Sequence, residues 1–442
     1  LVSCGSVKSG EEVVAASRDS KVVVAYVTSW SEVMPDPQYM THINYAFGHV
    51  NESFNGVKID NEERLRQIVD LRKQKPELKV LLSIGGWGSG RFSEMAANDE
   101  YRRAFAADCA RVVKEFALDG IDIDWEYPTS SMANISSSPD DTENFTLLMQ
   151  DIRAAIGNEK ELTLATVASA SYIDLKAILP SVDFVNIMAY DMASAPKHHS
   201  ALYPSGHSGD ITSDGAVTAH LKAGVPPSKL VMGMPFYGRG GDGYPSFQDY
   251  NKVGNTDTQY TEKWDEVAQV PYLADKNDTL VFGFENPRSL AIKCQYILDK
   301  DLLGGMYWDY SGDNEQGDLR RTVAENLLGK PHKAKVLVLT ERGGQHGGFT
   351  DAGLRWLAAE GAKGNFSITE INNARNITEA YLSQFSLVIQ LDFPPYTWPK
   401  EAEDAFVKYI EEGRGGWIGF HHATLLGEFD GYPMWQWFSD FM

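Results

Sequence analysis

Three acidic side chains alternate with apolar residues in one short stretch of the sequence. Asp122, Asp124 and Glu126 are each separated by a single residue, and Ile or Trp fills the positions between and before them. Successive side chains of a strand point to opposite faces, so the three carboxyl groups are predicted to share one face. Like charges at close range cannot both form cheaply, so one carboxyl group stays protonated near neutral pH. The outermost of the three, Glu126, is the predicted general acid.

No second carboxylate in this stretch suits the role of a nucleophile. Asp124 is two positions deeper than Glu126 on the same face, roughly 7 Å along a strand. A half-exposed strand with a wet polar face is the alternative interpretation of the pattern. Acids at the carboxyl end of a barrel strand usually indicate catalysis, and this favours an active site.

The elements around this stretch predict a closed (β/α)8 TIM barrel, with an open doubly wound sheet as the alternative. Amphipathic stretches of helical length separate most of the apolar runs, for example 62–75, 101–117 and 141–156. Eight evenly spaced strands favour the barrel. The predicted strands are 22–28, 43–48, 79–84, 120–126, 162–168, 184–190, 230–236 and 304–310.

The connection between the seventh and eighth strands is longer than the others. Residues 240–285 are rich in Gly, Tyr, Asn and Asp before a helical pattern returns at 287–300. We therefore expect a short, irregular insertion at the rim where active-site loops lie. The catalytic barrel is predicted to cover residues 21–330.

A second α/β pattern begins after residue 330. Strands are predicted at 335–340, 366–371, 387–391 and 417–420, with helices at 350–360 and 399–412. This predicts a flavodoxin-like domain over 331–442 that is incomplete at its C-terminal side, so we expect the natural chain to continue.

The amino-acid composition limits the kinds of molecule that the protein is expected to bind. The chain has 442 residues, with 40 Lys and Arg against 61 Asp and Glu, for a formal net charge of −21. Nucleic acids and anionic membrane surfaces both require clustered cations, so neither is an expected partner. Neutral polymers stay open as substrates, and 20 Tyr, 20 Phe and 10 Trp are available to stack on them.

The first residues resemble a bacterial lipobox, the site where a signal peptide is removed and a cysteine acquires lipid. Residues 1–5 read LVSCG, and the small polar stretch 1–20 reads as a tether. We expect Cys4 to carry lipid, and the protein to be an exported bacterial lipoprotein, periplasmic or at the cell surface.

The acidic stretch resembles the glycoside hydrolase family 18 (chitinase-like) signature Asp-x-x-Asp-x-Asp-x-Glu, here Asp119, Asp122, Asp124 and Glu126, followed by Tyr127 and Pro128. Segments 83–87, 188–191, 235–239 and 305–308 resemble the family's third, sixth, seventh and eighth strands. The resemblance covers about residues 21–328. The sequence offers no evident set of metal ligands, and we expect neither a cofactor nor a metal.

The same resemblance implies substrate-assisted, retaining hydrolysis of β-1,4-linked N-acetylglucosamine polymers. Glu126 protonates the leaving oxygen and then activates water, while the substrate's own acetamido carbonyl attacks the anomeric carbon. Asp124 holds the acetamido N–H, and Asp122 shares a proton with Asp124. Tyr190 fixes the acetamido oxygen.

Further residues are implied as sugar contacts. Trp308 is the expected floor of the −1 subsite, with Trp30 and Trp87 as platforms along the cleft. Several of these contacts have an alternative interpretation. Met188 could pack in the core, Trp30 and Trp87 could be structural aromatic residues, and Arg239 could form a salt bridge that supports its loop. The predicted substrate-binding residues are Trp308, Trp87, Trp30, Tyr127, Met188, Asp191, Tyr237, Arg239, Gly85 and Gly86.

Residues 334–442 resemble a ThuA-like (trehalose-utilisation) domain, similar in fold to glutamine amidotransferases. The resemblance rests on segments 336–340, 387–389 and 415–423 and on the Gly-rich turn around His346. No cysteine lies in this stretch, so thiol chemistry is excluded. His346, Asp392, His421 and His422 follow strands and are predicted to gather above the sheet in a sugar-binding or catalytic role. Histidines held by core hydrogen bonds are the alternative.

Three functions stay open. The first is a chitinase acting on chitin or its oligosaccharides. The second is an endo-β-N-acetylglucosaminidase acting on N-glycans. The third is a non-hydrolytic chitin-binding protein, which the presence of Glu126 disfavours.

Overall fold

Two compact units make up the chain, with the boundary between Gly329 and Lys330. The computed structural model describes residues 21–241, 243–253, 259–329, 334–342, 346–364, 366–428 and 431–442. The predicted lipobox, Cys4 and the tether lie outside the described residues. No described helix is both long enough and apolar enough to cross a lipid bilayer.

The first unit is an eight-stranded parallel barrel. Its strands pair in sequence around the ring, and the first strand (Val22–Thr28) closes it by pairing with both the last (Gly304–Trp308) and the second (His42–Val50). The predicted TIM barrel is confirmed, and the open-sheet alternative is wrong. A ninth strand, β3 (Val57–Ile59), is antiparallel to β2. The barrel strands are β1 (Val22–Thr28), β2 (His42–Val50), β4 (Lys79–Gly85), β5 (Gly120–Asp124), β6 (Glu161–Val167), β7 (Phe184–Met188), β8 (Leu230–Pro235) and β14 (Gly304–Trp308).

Helices surround the barrel and bury an apolar stripe against it. In the helix Asp99–Glu115, the Asn98 side chain accepts the Tyr101 N–H at the amino end, and Phe105, Cys109 and Val112 are buried at helical spacing. The helices of this unit are α1 (Glu62–Val69), α2 (Phe92–Ala97), α3 (Asp99–Glu115), α4 (Asp141–Ile156), α5 (Leu175–Ile178), α6 (Ser213–Lys222), α7 (Pro287–Asp299) and α8 (Asp318–Leu327).

The strand that carries the acids separates two environments. Ile121, Ile123 and Trp125 belong to the apolar core between barrel and helices. Asp122 and Asp124 are buried on the other side, inside the barrel. The strand ends at Asp124, two residues before the predicted end, but Trp125 keeps the alternation by packing outward on Phe92 at 5.3 Å between ring centroids.

The insertion lies between the seventh and eighth barrel strands, as predicted, but the expectation that it is irregular is wrong, because the segment forms an antiparallel sheet. Its strand order is β10-β9-β13-β12-β11. Turn residues conceal the strands in the sequence, as where the Asp275 carboxylate accepts the N–H groups of Asn277 and Thr279 between two strands. The strands are β9 (Tyr237–Gly240), β10 (Gln248–Asp249), β11 (Thr261–Asp265), β12 (Val270–Ala274) and β13 (Leu280–Gly283).

The second unit is a parallel four-stranded sheet in the order β16-β15-β17-β18, as predicted for a flavodoxin-like domain. Buried apolar side chains lie on both faces of the sheet, including Leu337, Val388 and Phe406 in one cluster and Val338 and Ile389 in another. Its elements are β15 (Ala334–Leu339), α9 (Gly347–Gly364), β16 (Phe366–Ile371), α10 (Glu379–Leu382), β17 (Leu387–Gln390), α11 (Lys400–Glu411), β18 (Gly416–Gly419) and α12 (Gln436–Phe441).

Candidate active site

A cavity of about 700 Å³ is lined by residues at and beyond the carboxyl ends of the barrel strands. This is the end of a TIM barrel where active sites lie. Most of the predicted site residues share its lining. They are Trp30, Trp87, Asp124, Glu126, Tyr127, Met188, Tyr190, Asp191, Tyr237, Arg239 and Trp308.

Asp122 lies deepest of the three acids and is fully engaged by donors. Its carboxylate accepts hydrogen bonds from the hydroxyls of Tyr26 (2.8 Å), Ser83 (2.8 Å) and Thr163 (2.6 Å). The Asn186 amide is a fourth donor at 3.5 Å. Burial raises the pKa of Asp122, and these hydrogen bonds to its charged form oppose that rise. Asp122 is therefore held in place by its surroundings.

Asp124 is buried beneath Glu126 and is much less well satisfied. Among the described residues, its Oδ1 atom has no hydrogen-bond partner. Burial raises the pKa of Asp124 well above its usual value, and the charges of Glu126 and Asp122 raise it further. A buried acceptor without a donor costs free energy, so this oxygen is suited to receive a donor from a bound molecule.

Glu126 lies nearest the cavity and has the pKa of a general acid. Burial raises the pKa of Glu126 from 4.5 to about 7. A hydrogen bond with Tyr127 lowers it, and the negative charge of Asp191 raises it. A carboxyl group with a pKa near the working pH can both give and take a proton.

Tyr190 faces the same pocket as a neutral donor. Burial, followed by the charge of Asp124, raises the pKa of its phenol well above 10, so the hydroxyl keeps its proton. That hydroxyl points at the Met306 sulfur at 3.7 Å. A thioether is a weak acceptor, so the Tyr190 hydroxyl is available to a better one.

Asp191 is tied to Arg239 by two hydrogen bonds, from Nε at 2.7 Å and from an Nη at 2.8 Å. His199 Nδ1 lies 3.5 Å from Asp191 Oδ1 and accepts the Asp191 N–H at 3.3 Å. Burial alone raises the pKa of Asp191, but the Arg239 guanidinium and the neighbouring His199 outweigh it and hold the pKa well below the usual value. Asp191 is therefore a fixed negative charge, and the salt-bridge alternative for Arg239 is present in the structure.

Aromatic rings line much of the cavity above the acids. Trp308 stacks on Phe47 at 5.6 Å and contacts Tyr26 at 5.5 Å between ring centroids. Trp30 and Trp87 are exposed by 65% and 61%, which does not fit packing in the protein core. Exposed rings at a cleft are suited to stack on the C–H faces of sugars.

Other predicted residues lie behind the site. A Cβ atom on Gly85 would lie 2.0 Å from the Asp124 carbonyl oxygen, and one on Gly86 2.6 Å from the Phe47 ring. The Gly86 N–H also donates to that carbonyl at 2.8 Å. Asp119 accepts the Val80 N–H at 2.7 Å and pairs with Arg72 at 2.7 Å, so it anchors the start of the strand. Their effect on the site is exerted through the backbone.

Several residues of the site escaped the sequence analysis, and four of them illustrate why. Met132 and Phe247 line the cavity from the loop after β5 and from the insertion, and Tyr26 and His199 hold Asp122 and Asp191. Neither loop has a regular pattern. The buried Tyr26 on β1 had a signal, because its polar side chain on an otherwise apolar strand requires a partner inside the barrel.

In the second unit, the structure brings His346, His421 and His422 together but not Asp392. The nearest ring nitrogens of the three histidines all lie within 4.8 Å of one another. The Asp392 carboxylate instead accepts the Glu341 N–H at 2.8 Å and the Thr350 hydroxyl at 2.7 Å. Asp392 therefore fixes the loop and helix that flank the histidines.

A cavity with acids at its floor and aromatic rings at its rim, on the carboxyl face of a parallel barrel, defines a carbohydrate-active class of enzyme. The chain belongs to the glycosyl hydrolases family 18, whose family model matches residues 22–313. A second family model, trehalose utilisation, matches residues 335–442.

Individual relatives agree with this family. Chitinase A1 of Niallia circulans is 30% identical over 68% of this chain, which spans 58% of that protein's length. The structure of a family 18 N-acetylglucosaminidase from Paenibacillus barengoltzii has a TM-score of 0.64 at 32% identity, covering 69% of this chain and 99% of that one. An Ostrinia furnacalis Group IV chitinase in complex with allosamidin has a TM-score of 0.62 at 29% identity, covering 70% and 96%.

Proposed function

We propose that the first unit is a chitinase that hydrolyses β-1,4-N-acetylglucosamine linkages by substrate-assisted, retaining catalysis. The observation that carries this proposal is the pair of unsatisfied polar groups beside the general acid. Asp124 Oδ1 has no donor among the described residues, and the Tyr190 hydroxyl has only a thioether. An acetamido group supplies what both lack, a donor N–H and an acceptor C=O.

The carboxylates of the cavity support a nucleophile that comes from the substrate. Asp191 uses both oxygens on Arg239, and Asp124 is buried below Glu126. The usual retaining scheme needs a second carboxylate that is free to attack the anomeric carbon, about 5 Å from the acid. The acetamido oxygen of the sugar in the −1 subsite is therefore the attacking group.

The reaction proceeds in two steps. Glu126 gives its proton to the glycosidic oxygen while the acetamido oxygen bonds to the anomeric carbon and the glycosidic bond breaks. This leaves a cyclic oxazolinium ion. Asp124 accepts a hydrogen bond from the acetamido N–H, and its negative charge offsets the positive charge of the ion. Glu126 then takes a proton from water, and that water opens the ring from the face of the departed sugar. Two inversions give overall retention.

The aromatic surfaces hold the polymer. Trp308 packs under the −1 sugar, and the exposed rings of Trp30 and Trp87 stack on sugars further along the cleft. The same surfaces fit an N-glycan core or a terminal N-acetylglucosamine, so the products must identify the substrate.

The deciding experiment incubates the protein with chitin oligosaccharides and, separately, with a high-mannose glycopeptide, and identifies products by mass spectrometry. We expect short β-linked products from the oligosaccharides alone, with the β-anomer in excess immediately after cleavage. Glycan release from the glycopeptide alone would assign an endo-β-N-acetylglucosaminidase, and binding without cleavage would assign a chitin-binding protein. Brisk cleavage of fully deacetylated chitosan would contradict substrate assistance.

We also propose that the protein is exported as a lipoprotein anchored through Cys4, which places the barrel where extracellular polymers are met. The support is the sequence 1–5 and the tether that follows. Labelling with a fatty-acid analogue in a bacterial host tests it. Incorporation that is lost in Cys4→Ser is expected, and equal labelling of both proteins would contradict it.

A further inference from the structure

Three histidine rings of the second unit meet at one edge of its sheet. His346 lies between β15 and α9, and His421 and His422 follow the end of β18 after one intervening residue. Both strands are parallel to β17, which lies between them, so their carboxyl ends reach the same edge. The strand order thus joins residues about 75 positions apart in the chain.

The rings are packed face to edge and face to face. His346 lies 4.7 Å from His421 and 4.3 Å from His422 between centroids, and the last two rings stack at 4.7 Å. His421 has φ +44°, a left-handed conformation that a residue other than glycine seldom adopts. Such a backbone cost is commonly retained where it aims a functional side chain.

A carboxylate lies beside the cluster. Glu341 Oε2 is 3.3 Å from His422 Nδ1, an arrangement that fixes the ring and leaves the other nitrogen for a ligand. Asp392 holds Glu341 by its backbone N–H and holds α9 through Thr350. The loop that carries Glu341 and the helix that follows His346 are therefore anchored to one buried aspartate.

We propose that His346, His421 and His422 bind one divalent transition-metal ion, preferentially Zn²⁺, through one imidazole nitrogen each. Neutral imidazoles suit zinc and its neighbours rather than Mg²⁺ or Ca²⁺, which take oxygen ligands. Among the described residues, these three histidines form a group of metal-ligating side chains whose ligand nitrogens all lie within 4.8 Å of one another. Zinc–nitrogen bonds of about 2.0–2.1 Å bring the nitrogens to about 3.3 Å, so small ring rotations complete the site.

Three protein ligands leave the fourth tetrahedral position of zinc open. His421 is exposed, so solvent reaches the cluster. The open position is accessible to water or to an oxygen of a bound molecule. The site is thus of the type that binds and polarises an oxygen ligand, and it goes beyond the proposed activity of the barrel.

The test uses the full chain without an affinity tag, stripped with a chelator and then equilibrated with Zn²⁺ and passed over a desalting column. Elemental analysis by mass spectrometry is expected to give one zinc per chain. His421→Ala and His346→Ala should bind almost none, and Glu341→Gln should bind about 10–100-fold more weakly. His207→Ala removes an exposed histidine of the barrel unit and should keep one zinc.

Substitution of Co²⁺ gives a readout of geometry, because a tetrahedral site produces an intense visible band that these variants should lose. Circular dichroism of each variant checks that the second unit is folded. If His421→Ala does not fold, His421→Asn provides a milder change. Wild-type protein without zinc, or folded His421 and His346 variants that keep it, would overturn the proposal.

Discussion

The floor and the rim of the cavity depend on different interactions, electrostatic at the floor and hydrophobic at the rim. The floor consists of buried carboxyl groups, where burial and the negative charges of neighbouring carboxylates raise the pKa values of Asp124 and Glu126. The rim consists of exposed apolar rings, such as Trp30 and Trp87, whose effect depends on the area that a ligand covers. The difference indicates that chemistry and binding are separable here. Changes in the floor should appear in kcat, and changes in the rim in KM.

Glu126→Gln tests the floor most severely. The amide keeps the size of the side chain but cannot give or take a proton, so kcat should fall by about 10³-fold or more while KM changes little. Steady-state kinetics on a chitin oligosaccharide measures this, with the exposed Glu52→Gln as the control of equal chemistry. Retained turnover in Glu126→Gln would remove Glu126 from the mechanism.

The same variant should be more stable than the wild type above pH 7. The pKa of Glu126 is raised in the folded state, so the folded protein holds its proton more tightly than the unfolded chain. Stability is therefore lost as the pH rises from 4.5 to about 7. Glu126→Gln removes that loss, and its free energy of unfolding at pH 8 should exceed that of the wild type by about 1–3 kcal/mol. Equal values in urea unfolding would show that the carboxylate is not strained.

Asp122 and Asp124 divide the floor itself into a supporting and a reacting part. Asp124→Ala removes an acceptor that has no donor among the described residues, so kcat should fall by about 100-fold with a stability change within about 1 kcal/mol. Asp122→Ala leaves four buried donors without their acceptor and should cost about 3 kcal/mol of unfolding free energy. Thermal unfolding and steady-state kinetics should be measured on both variants. We expect the larger loss of stability in Asp122→Ala, whereas Asp124→Ala should lose activity with little change in stability. Equal loss of stability would contradict it.

The contrast between floor and rim also explains what the sequence could predict. Asp122, Asp124 and Glu126 lie within five residues of each other, and strand periodicity alone places them on one face. Trp125 showed the same periodicity on the opposite face. Met132 and Phe247 belong to the rim but come from a loop and from the insertion, where no period relates position to direction.

The hydrogen-bond partners of the acids could not be predicted from the sequence for a different reason. Tyr26, Ser83 and Thr163 reach Asp122 from three other strands, and only the register of the closed barrel brings them together. The insertion was misjudged because its strands are short and its turns are rich in Asp and Asn. In the second unit, the grouping of His346 with His421 depends on the strand order. Local patterns therefore predicted elements, and long-range register determined the contacts.

Trp87→Ala tests the rim. The exposed ring is expected to stack on a sugar away from the cleavage point, so KM for long oligosaccharides should rise by about tenfold with kcat changed by less than about twofold. Trp356→Ala, which removes a ring of similar exposure (59%) in the second unit, should leave both constants unchanged. An effect of Trp87→Ala on kcat alone would place it in the chemistry instead.

Asp191 joins the two regions, and its charge should give the smallest but most diagnostic effect. Wild-type kcat/KM is expected to fall as the pH rises through about 7, because Glu126 must be protonated to act as an acid. Asp191→Asn removes a negative charge that raises the Glu126 pKa, so this limb should move to lower pH by less than about one unit. Arg239→Gln leaves Asp191 charged but without its cation, so the limb should move to higher pH. Opposite shifts in the two variants can arise only through the charge near Glu126, whereas a loss of sugar contacts would lower kcat/KM in both without moving the limb.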